Sequence, residues 1–284
     1  MKTLFASALL ALLGAAAPNE VPTSPRISGY KAVGQTSLSA HIFTPVDRRT
    51  SIPAILLFHG GGWQVGQPQW TYGAAKLLQA DGLVAIAIEY RLSRGAITPA
   101  DALADACDAF AWVRKNAYEL GVDPTRIGGY GVSAGGHLVA AAGLGACGDV
   151  RGPDVMLLWS PALDLERDRW FGKLMQGRDV AAISPLRLAQ EGGPPTVIIQ
   201  GERDTLTPLS GATAFCARLT AKGGTCQLKT YPGLGHLLTR NLANQESDFD
   251  IDPESDKDGD ATIAAFLRAQ GYIAGGPATT SPDR

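Results

Sequence analysis

Most of the chain alternates between long apolar runs and segments with helical periodicity. Residues 52–58 read Ile-Pro-Ala-Ile-Leu-Leu-Phe, which is typical of a strand covered on both faces. Comparable runs predict further strands at 83–88, 126–131, 155–159, 196–200 and 226–231, and an antiparallel pair at 27–33 and 37–44. Helices are expected at 69–80, 99–120, 134–146, 209–221 and 261–270.

This alternation predicts an α/β fold with a mostly parallel central sheet and helices on both faces. No repeat and no second domain boundary is visible, so we expect residues 17–284 to form a single domain. The charged segment 164–184 follows the predicted strand at 155–159 and contains the aromatic pair Trp170-Phe171. It is either a small cap over a site or an ordinary surface excursion.

The first residues have the composition of an export signal. Met1-Lys2-Thr3 precedes an apolar run that is too short to span a bilayer, and Gly14-Ala15-Ala16 supplies small residues for cleavage. We therefore predict a signal peptide at 1–16 and a secreted or periplasmic protein without a membrane anchor. The alternative is an N-terminal helix packed on the domain. A formal net charge of −2 gives no reason to expect nucleic acid as a partner.

The four cysteines fit an oxidising compartment, and none has the C-x-x-C spacing of a metal site. Cys216 and Cys226 fall at a predicted helix and the next strand, so a local disulfide is expected between them. Cys107 and Cys147 would then pair or remain free. The sequence by itself allows three connectivities.

Gly131-Val132-Ser133-Ala134-Gly135 matches G-x-S-x-G directly after a predicted strand. In a nucleophile elbow, a tight strand-to-helix turn exposes the serine hydroxyl and leaves room only for small residues two positions to either side. Ser133 is therefore a candidate nucleophile. A glycine-rich turn that merely opens a helix is the alternative.

A second glycine-rich segment, His59-Gly60-Gly61-Gly62-Trp63, follows the strand predicted at 52–58. Consecutive glycines expose backbone N–H groups that can stabilise an oxyanion. We expect the N–H groups of Gly61 or Gly62, together with that of Ala134, to form an oxyanion hole. Trp63, beside this loop, is a candidate for lining the substrate pocket.

A serine nucleophile needs a base, and the chain has four histidines. His59 belongs to the glycine-rich turn, His137 lies behind Ser133 on the same helix, and His41 is expected on a polar or edge face of an early strand. His236 lies in a glycine-rich loop after the last predicted strand, where parallel sheets place their catalytic loops. His236 is the predicted base.

The acid that orients this base is expected after the strand at 196–200. Glu202 and Asp204 both qualify chemically, and we favour Asp204 because it lies deeper in the loop before Pro208. Glu202 is expected to pair with Arg203 or to face solvent. The order Ser133, Asp204, His236 is that of an α/β-hydrolase.

Two acidic segments are expected to have no catalytic role. Asp101, Asp105 and Asp108 alternate with an apolar stripe and are predicted to form a solvated face or first-turn charges of a helix. Residues 248–260 are predicted to be a solvated loop before the last helix. They resemble the start of a calcium loop, but the twelfth position is Ala265.

Four segments together resemble the α/β-hydrolase esterase and lipase group, most closely bacterial secreted acetyl-xylan and feruloyl esterase-like proteins, with hormone-sensitive-lipase-type esterases as relatives. They are 59–63, Glu89-Tyr90-Arg91-Leu92, 121–127 and 133–138, and the resemblance spans about 27–273. The sequence departs from the pattern by lacking a long N-terminal cap and by having Leu237 where many relatives carry glycine. The resemblance implies an α/β-hydrolase fold with at most a small cap.

These observations predict a secreted serine carboxylic-ester hydrolase that needs no metal or organic cofactor. The resemblance suggests short-chain acyl or feruloyl esters of plant polysaccharide as substrates, although a fold does not specify a substrate. A lipase or polyester hydrolase, a peptidase of the prolyl-oligopeptidase type and a non-catalytic binding protein are the alternatives. The peptidase is disfavoured because no propeller segment is recognisable, and the binding protein because all three triad members are present.

Overall fold

The computed structural model describes residues 24–46 and 51–274. The predicted signal peptide at 1–16 lies outside these residues. Within them, eight strands form one sheet in the order β1-β2-β4-β3-β5-β6-β7-β8. The strands are β1 (Arg26–Val33), β2 (Thr36–Phe43), β3 (Ile52–Phe58), β4 (Val84–Ile88), β5 (Val122–Val132), β6 (Met156–Trp159), β7 (Thr196–Gly201) and β8 (Cys226–Tyr231).

Only β2 runs antiparallel to its neighbours β1 and β4, whereas all pairs from β4 to β8 are parallel. The carboxyl ends of β3, β5, β7 and β8 therefore lie along one edge. The loops that carry the oxyanion-hole, nucleophile, acid and base candidates follow these four strands, so the topology gathers them at that edge.

Helices cover both faces of the sheet, as predicted. The α-helices are α1 (Tyr72–Ala80), α2 (Pro99–Lys115), α3 (Ala117–Leu120), α4 (Ala134–Gly143), α5 (Arg169–Leu174), α6 (Pro185–Leu188), α7 (Leu209–Ala221) and α8 (Pro253–Ala269). Single 3₁₀ turns lie at Pro68–Thr71, Ala181–Ile183, Ala189–Glu191 and His236–Leu238.

Strand β3 shows how the two cores form. Leu56 and Phe58 point to one face and pack in a cluster with residues of α2, α4 and α7, including Phe110 and Phe215. The alternate residues Ile55 and Leu57 point to the other face, where α1 and α8 cover them. Each face of this strand is buried, which explains its uninterrupted apolar run.

The last helix begins eight residues before the predicted start at residue 261, so the prediction of a solvated loop over all of 248–260 is wrong. Asp252 caps the helix by accepting a hydrogen bond from Ser255 N at 2.9 Å, and Pro253 occupies the first turn. Glu254 and Asp256 add the negative charge that favours a helix N-terminus. The polar composition around Gly259 hid this helix from the periodicity pattern.

The three aspartates of α2 also differ from one another. Asp101 has the predicted first-turn role, since its side chain accepts from the N–H and hydroxyl of Thr98. Asp108 is about half exposed. Asp105 is fully buried and pairs with Lys31 and Arg91, so the prediction of a solvated face is wrong for this residue.

Each of the two disulfides joins a helix to a segment later in the chain. Cys216 on α7 pairs with Cys226 on β8, which confirms the expected local bridge. Cys107 on α2 pairs with Cys147, beyond the end of α4. All four cysteines of the sequence are therefore oxidised. Among the described helices, none combines the length and the apolar character that crossing a membrane requires.

Candidate active site

Ser133 lies at a sharp turn between β5 and α4, as the elbow prediction requires. Its backbone has φ 53° and ψ −113°, a strained conformation for a residue with a side chain. A Cβ at Gly131 would overlap the backbone of Gly135, and a Cβ at Gly135 would overlap the carbonyl of Phe58. The turn therefore closes only with glycine on both sides, which is the physical reason for the motif.

The structure brings Ser133, His236 and Asp204 together although they are far apart in the sequence. His236 Nε2 lies 3.0 Å from Ser133 Oγ, and His236 Nδ1 lies 2.8 Å from Asp204 Oδ2. His236 and Asp204 are both buried. With the proton on Nδ1 directed at the carboxylate, Nε2 can accept the serine proton.

Asp204 is held in place by four hydrogen bonds besides its contact with His236. Its Oδ1 accepts from the N–H groups of Leu206 (2.9 Å) and Thr207 (2.8 Å). Its Oδ2 accepts from Gln200 Nε2 (2.9 Å) and Thr207 Oγ1 (2.8 Å). The competing candidate Glu202 instead accepts from Thr230 Oγ1 at 3.0 Å, in an exposed position. The structure thus joins Asp204, and not Glu202, to His236.

The histidine loop is a strained turn with side-chain support. Leu237 and Leu238 both have positive φ, at 54° and 61°. Leu237 N donates to Ser160 Oγ at 3.1 Å, and His236 N donates to Gln245 Oε1 at 2.8 Å. These two bonds fix the backbone on which the imidazole is mounted.

The glycine-rich loop after β3 lies directly beside Ser133. A Cβ at Gly60 would come within 3.3 Å of Ser133 Cβ, while Gly61 and Gly62 have φ values of 101° and 59°. The contacts of the described residues leave the N–H groups of Gly61, Gly62 and Ala134 without a hydrogen-bond acceptor. This is the arrangement expected for an oxyanion hole.

The loop is supported from the segment after β4. The hydroxyl of Tyr90 donates to His59 O at 2.8 Å, and Ser93 N donates to Trp63 O at 2.6 Å. Arg91, between them, is held by Asp105. Tyr90 of the Glu-Tyr-Arg-Leu segment and Ser93, directly after that segment, therefore hold the glycine-rich loop at both ends.

Trp63 is buried, with 3% of its surface exposed, in a group of aromatic side chains behind the loop. Its indole N–H donates to His137 Nδ1 at 3.1 Å, and His137 Nε2 then donates to Ile183 O at 3.0 Å. Phe171 packs edge-on against the Trp63 ring, with the ring centroids 4.7 Å apart. This burial leaves Trp63 little surface with which to contact a substrate, and its predicted role stays a prediction.

The histidines other than His236 have structural partners. Burial lowers the pKa of both His59 and His137 to about 4, so both are neutral near pH 7. His59 stacks on Tyr90 with ring centroids 4.3 Å apart. His41 is buried between Ser39 and Tyr72, contrary to the expected polar or edge face, because Tyr72 of α1 covers its strand.

Segment 164–184 packs on the glycine-rich loop. Asp168 caps α5 through the N–H groups of Trp170 and Phe171. Phe171 is buried, whereas Trp170 is 45% exposed and its ring would lie 2.8 Å from a Cβ at Gly62. These contacts favour the interpretation of the segment as a small cap. Trp170 is thus a partly exposed aromatic residue beside the loop.

Several supporting residues were not predicted from the sequence, namely Tyr90, Ser93, Ser160, Gln200, Thr207 and Gln245. Of these, Thr207 is weakly indicated as a supporting residue by the sequence, because it lies in the same loop as Asp204. No group of three or more side chains suited to a metal ion occurs in residues 24–46 and 51–274.

Comparisons with known proteins agree with this geometry. Residues 55–240 match a family described as having the alpha/beta hydrolase fold. Carboxylesterase NlhH of Mycobacterium tuberculosis is 30% identical over 250 residues, which cover 76% of this chain and 75% of the relative. An arylesterase of Saccharolobus solfataricus is 36% identical over a shorter stretch of 108 residues, or 38% of this chain and 35% of that protein.

Solved structures of esterase 2 from Thermogutta terrifontis have the same architecture. The propionate-bound form superposes with a TM-score of 0.79 at 30% identity, covering 90% of this chain and 98% of that one. The form phosphoramylated by tabun gives a TM-score of 0.79 at 29% identity, covering 92% and 100%. The chain therefore belongs to the α/β-hydrolase fold family, within which it has the Ser133–His236–Asp204 arrangement of a serine esterase.

Proposed function

We propose that this protein is a serine carboxylesterase that hydrolyses short-chain acyl esters through an acyl-enzyme on Ser133. The observation that carries the proposal is the continuous hydrogen-bonded path from Ser133 Oγ through His236 to Asp204, beside a loop with unoccupied N–H groups. A serine hydroxyl is a poor nucleophile until a base takes its proton, and His236 is within reach of that proton.

In the first half of the reaction, Ser133 Oγ attacks the acyl carbonyl carbon while His236 Nε2 removes the hydroxyl proton. The N–H groups of Gly61 or Gly62 and of Ala134 donate to the negatively charged carbonyl oxygen. Asp204 orients the imidazole and stabilises its positive charge. Collapse of the tetrahedral intermediate breaks the ester C–O bond, and His236 delivers its proton to the leaving alcohol.

In the second half, a water molecule attacks the acyl-enzyme. His236 removes a proton from this water, and the oxyanion loop again accommodates the negative charge. The second intermediate breaks the bond to Ser133, which recovers its proton from His236, and the carboxylic acid leaves. Every proton transfer is accounted for by the three side chains.

The proposal also extends to the class of substrate. Propionate and butyrate are bound in the solved structures of the Thermogutta esterase, which supports a short acyl chain here. The cap holds Trp170 close to Gly62 and supports a restricted site. We extend the proposal to acetyl or feruloyl esters of plant polysaccharide. Two disulfides support the further proposal of a secreted or periplasmic protein.

The test is hydrolysis of p-nitrophenyl esters of graded acyl length, with acetylated xylan and feruloylated sugars alongside. We expect Ser133→Ala to lower kcat by about 10⁴-fold or more, and Asp204→Asn by about 10³- to 10⁴-fold. Glu202→Gln is the matched control and should remain within about twofold of wild type, because Glu202 does not contact His236. Wild-type-like turnover by Ser133→Ala would refute the mechanism.

The same panel separates the alternatives. A preference for long acyl chains would indicate a lipase or polyester hydrolase, and cleavage of an aminoacyl-anilide without ester hydrolysis would indicate a peptidase. A fluorophosphonate probe should label Ser133 in the folded protein. The Thermogutta esterase is phosphorylated by paraoxon, which supports the choice of a phosphorus electrophile as the probe. A folded protein that is neither labelled nor active would be a binding protein.

A further inference from the structure

The side chain of Gln245 joins the loop of the proposed acid to the loop of the proposed base. Its Oε1 accepts from His236 N at 2.8 Å and from Thr205 N at 3.2 Å, and its Nε2 donates to Arg203 O at 3.0 Å. Arg203 and Thr205 are the residues on either side of Asp204. One carboxamide therefore contacts His236 itself and both chain neighbours of its acidic partner.

The hydrogen-bond pattern determines which way the carboxamide faces. With oxygen and nitrogen exchanged, the NH₂ group would meet the N–H donors of His236 and Thr205, and the oxygen would meet the carbonyl of Arg203. Each of the three bonds would become a repulsive contact. The orientation with Oε1 toward His236 is thus the one that satisfies all the groups.

The fit around Gln245 is close. The side chain is 5% exposed, and a Cβ at Gly235 would come within 2.6 Å of its Cδ. Leu237 and Leu238, which follow His236 in the chain, have positive φ. A backbone in this strained conformation needs surrounding contacts to hold it. Gln245 supplies such a contact at the N–H of His236, next to the strained residues.

We propose that Gln245 is a positioning residue for catalysis, which sets the distance and angle between Asp204 and His236 by fixing the backbone of both loops. The inference rests on the proposed function. Among the described residues, no hydrogen bond joins Gln245 to Ser133 or to the proposed oxyanion loop, so it acts through the His236–Asp204 pair. A displacement of about 1 Å at such a pair is enough to cost about 10²-fold in rate.

The test measures kcat per active site in Gln245→Met and Gln245→Ala, with a fluorophosphonate used to count the reactive serines. Methionine has a similar size and none of the three hydrogen bonds, so it separates positioning from the loss of volume. We expect kcat per titrated site to fall by about 30- to 100-fold in both variants. KM for p-nitrophenyl acetate should stay within about twofold.

Glu246→Ala is the matched control, since this neighbour lies exposed in the same loop and should keep wild-type kcat. A merely structural role would lower the number of titratable sites and leave kcat per remaining site unchanged. That result, in Gln245→Met or in whichever variant folds, would overturn the inference. Failure of the proposed function is distinguishable, because the wild-type protein would then be neither labelled nor active.

Discussion

Replacing the buried Asp105 with asparagine should destabilise the protein strongly. Its Oδ2 accepts from Arg91 N at 2.9 Å and from Arg91 Nε at 2.8 Å, while Oδ1 accepts from Arg91 Nη2 at 2.8 Å and from Lys31 Nζ at 2.5 Å. Asparagine preserves the size of the side chain but removes its charge. Its NH₂ group would also face donors of Arg91 or Lys31.

The magnitude follows from the burial of the group. Removing one partner of a buried ion pair costs about 3–5 kcal/mol. Lys31 and Arg91 are each about one fifth exposed and can regain part of their hydration, which favours the lower end of the range. A loss of about 3 kcal/mol in a domain of this size corresponds to a decrease in Tm of about 6–12 °C.

The assay is thermal unfolding followed by circular dichroism, with the disulfides intact. Asp108→Asn is the matched control, because Asp108 also pairs with Lys31, at 2.6 Å, but is 51% exposed. An exposed pair contributes about 0–1 kcal/mol, so the control should lose no more than about 4 °C. Equal shifts in the two variants would refute the reasoning from burial.

Two further predictions concern stability. Burial lowers the pKa of His59 and His137 to about 4, whereas an unfolded histidine titrates near 6.5, so the unfolded state binds more protons between these values. Stability should therefore be lost as the pH falls from about 6.5 to 4, and calorimetry of His137→Gln should show a weaker loss; an unchanged pH slope would contradict this. The Cys107–Cys147 bridge closes 40 residues and the Cys216–Cys226 bridge closes 10, which correspond to about 4 and 3 kcal/mol. Removing the first bridge by paired alanine substitutions should lower Tm more than removing the second, and the reverse order would contradict the chain-entropy argument.

The central strands could be predicted because both of their faces are buried. Strand β3 (Ile52–Phe58), in which every residue is buried, has the predicted boundaries. The edge strand β8 (Cys226–Tyr231) and the helix α7 (Leu209–Ala221) also have the predicted boundaries. In contrast, α8 was predicted too short because apolar periodicity is weak where charged residues dominate its first two turns. The cap signals at Asp252 and Pro253 were present in the sequence and would have located its start.

The prediction that Asp105 lies on a solvated face failed for a different reason. Helical periodicity correctly separates it from the apolar stripe of α2, yet a polar face is not always a solvated one. Lys31 from β1 and Arg91 from the segment after β4 cover the carboxylate. Both residues lie outside α2, so the periodicity of this helix does not indicate that they contact Asp105. The pairing depends on the order in which the strands lie in the sheet.

The active-site candidates were predictable for a topological reason, whereas their supports were not. Ser133, Asp204 and His236 each follow a strand, and parallel strands bring their carboxyl ends to one edge, so strand positions alone place these residues near one another. Tyr90, Ser160 and Gln245 instead bond to backbone atoms of another loop. Because every residue except proline offers the same N–H and C=O groups, the sequence of the supported loop does not specify which side chain will hold it. We therefore expect the rate of such an enzyme to depend on residues that motifs do not reveal, such as Gln245, whose contacts join the proposed base to both neighbours of the proposed acid.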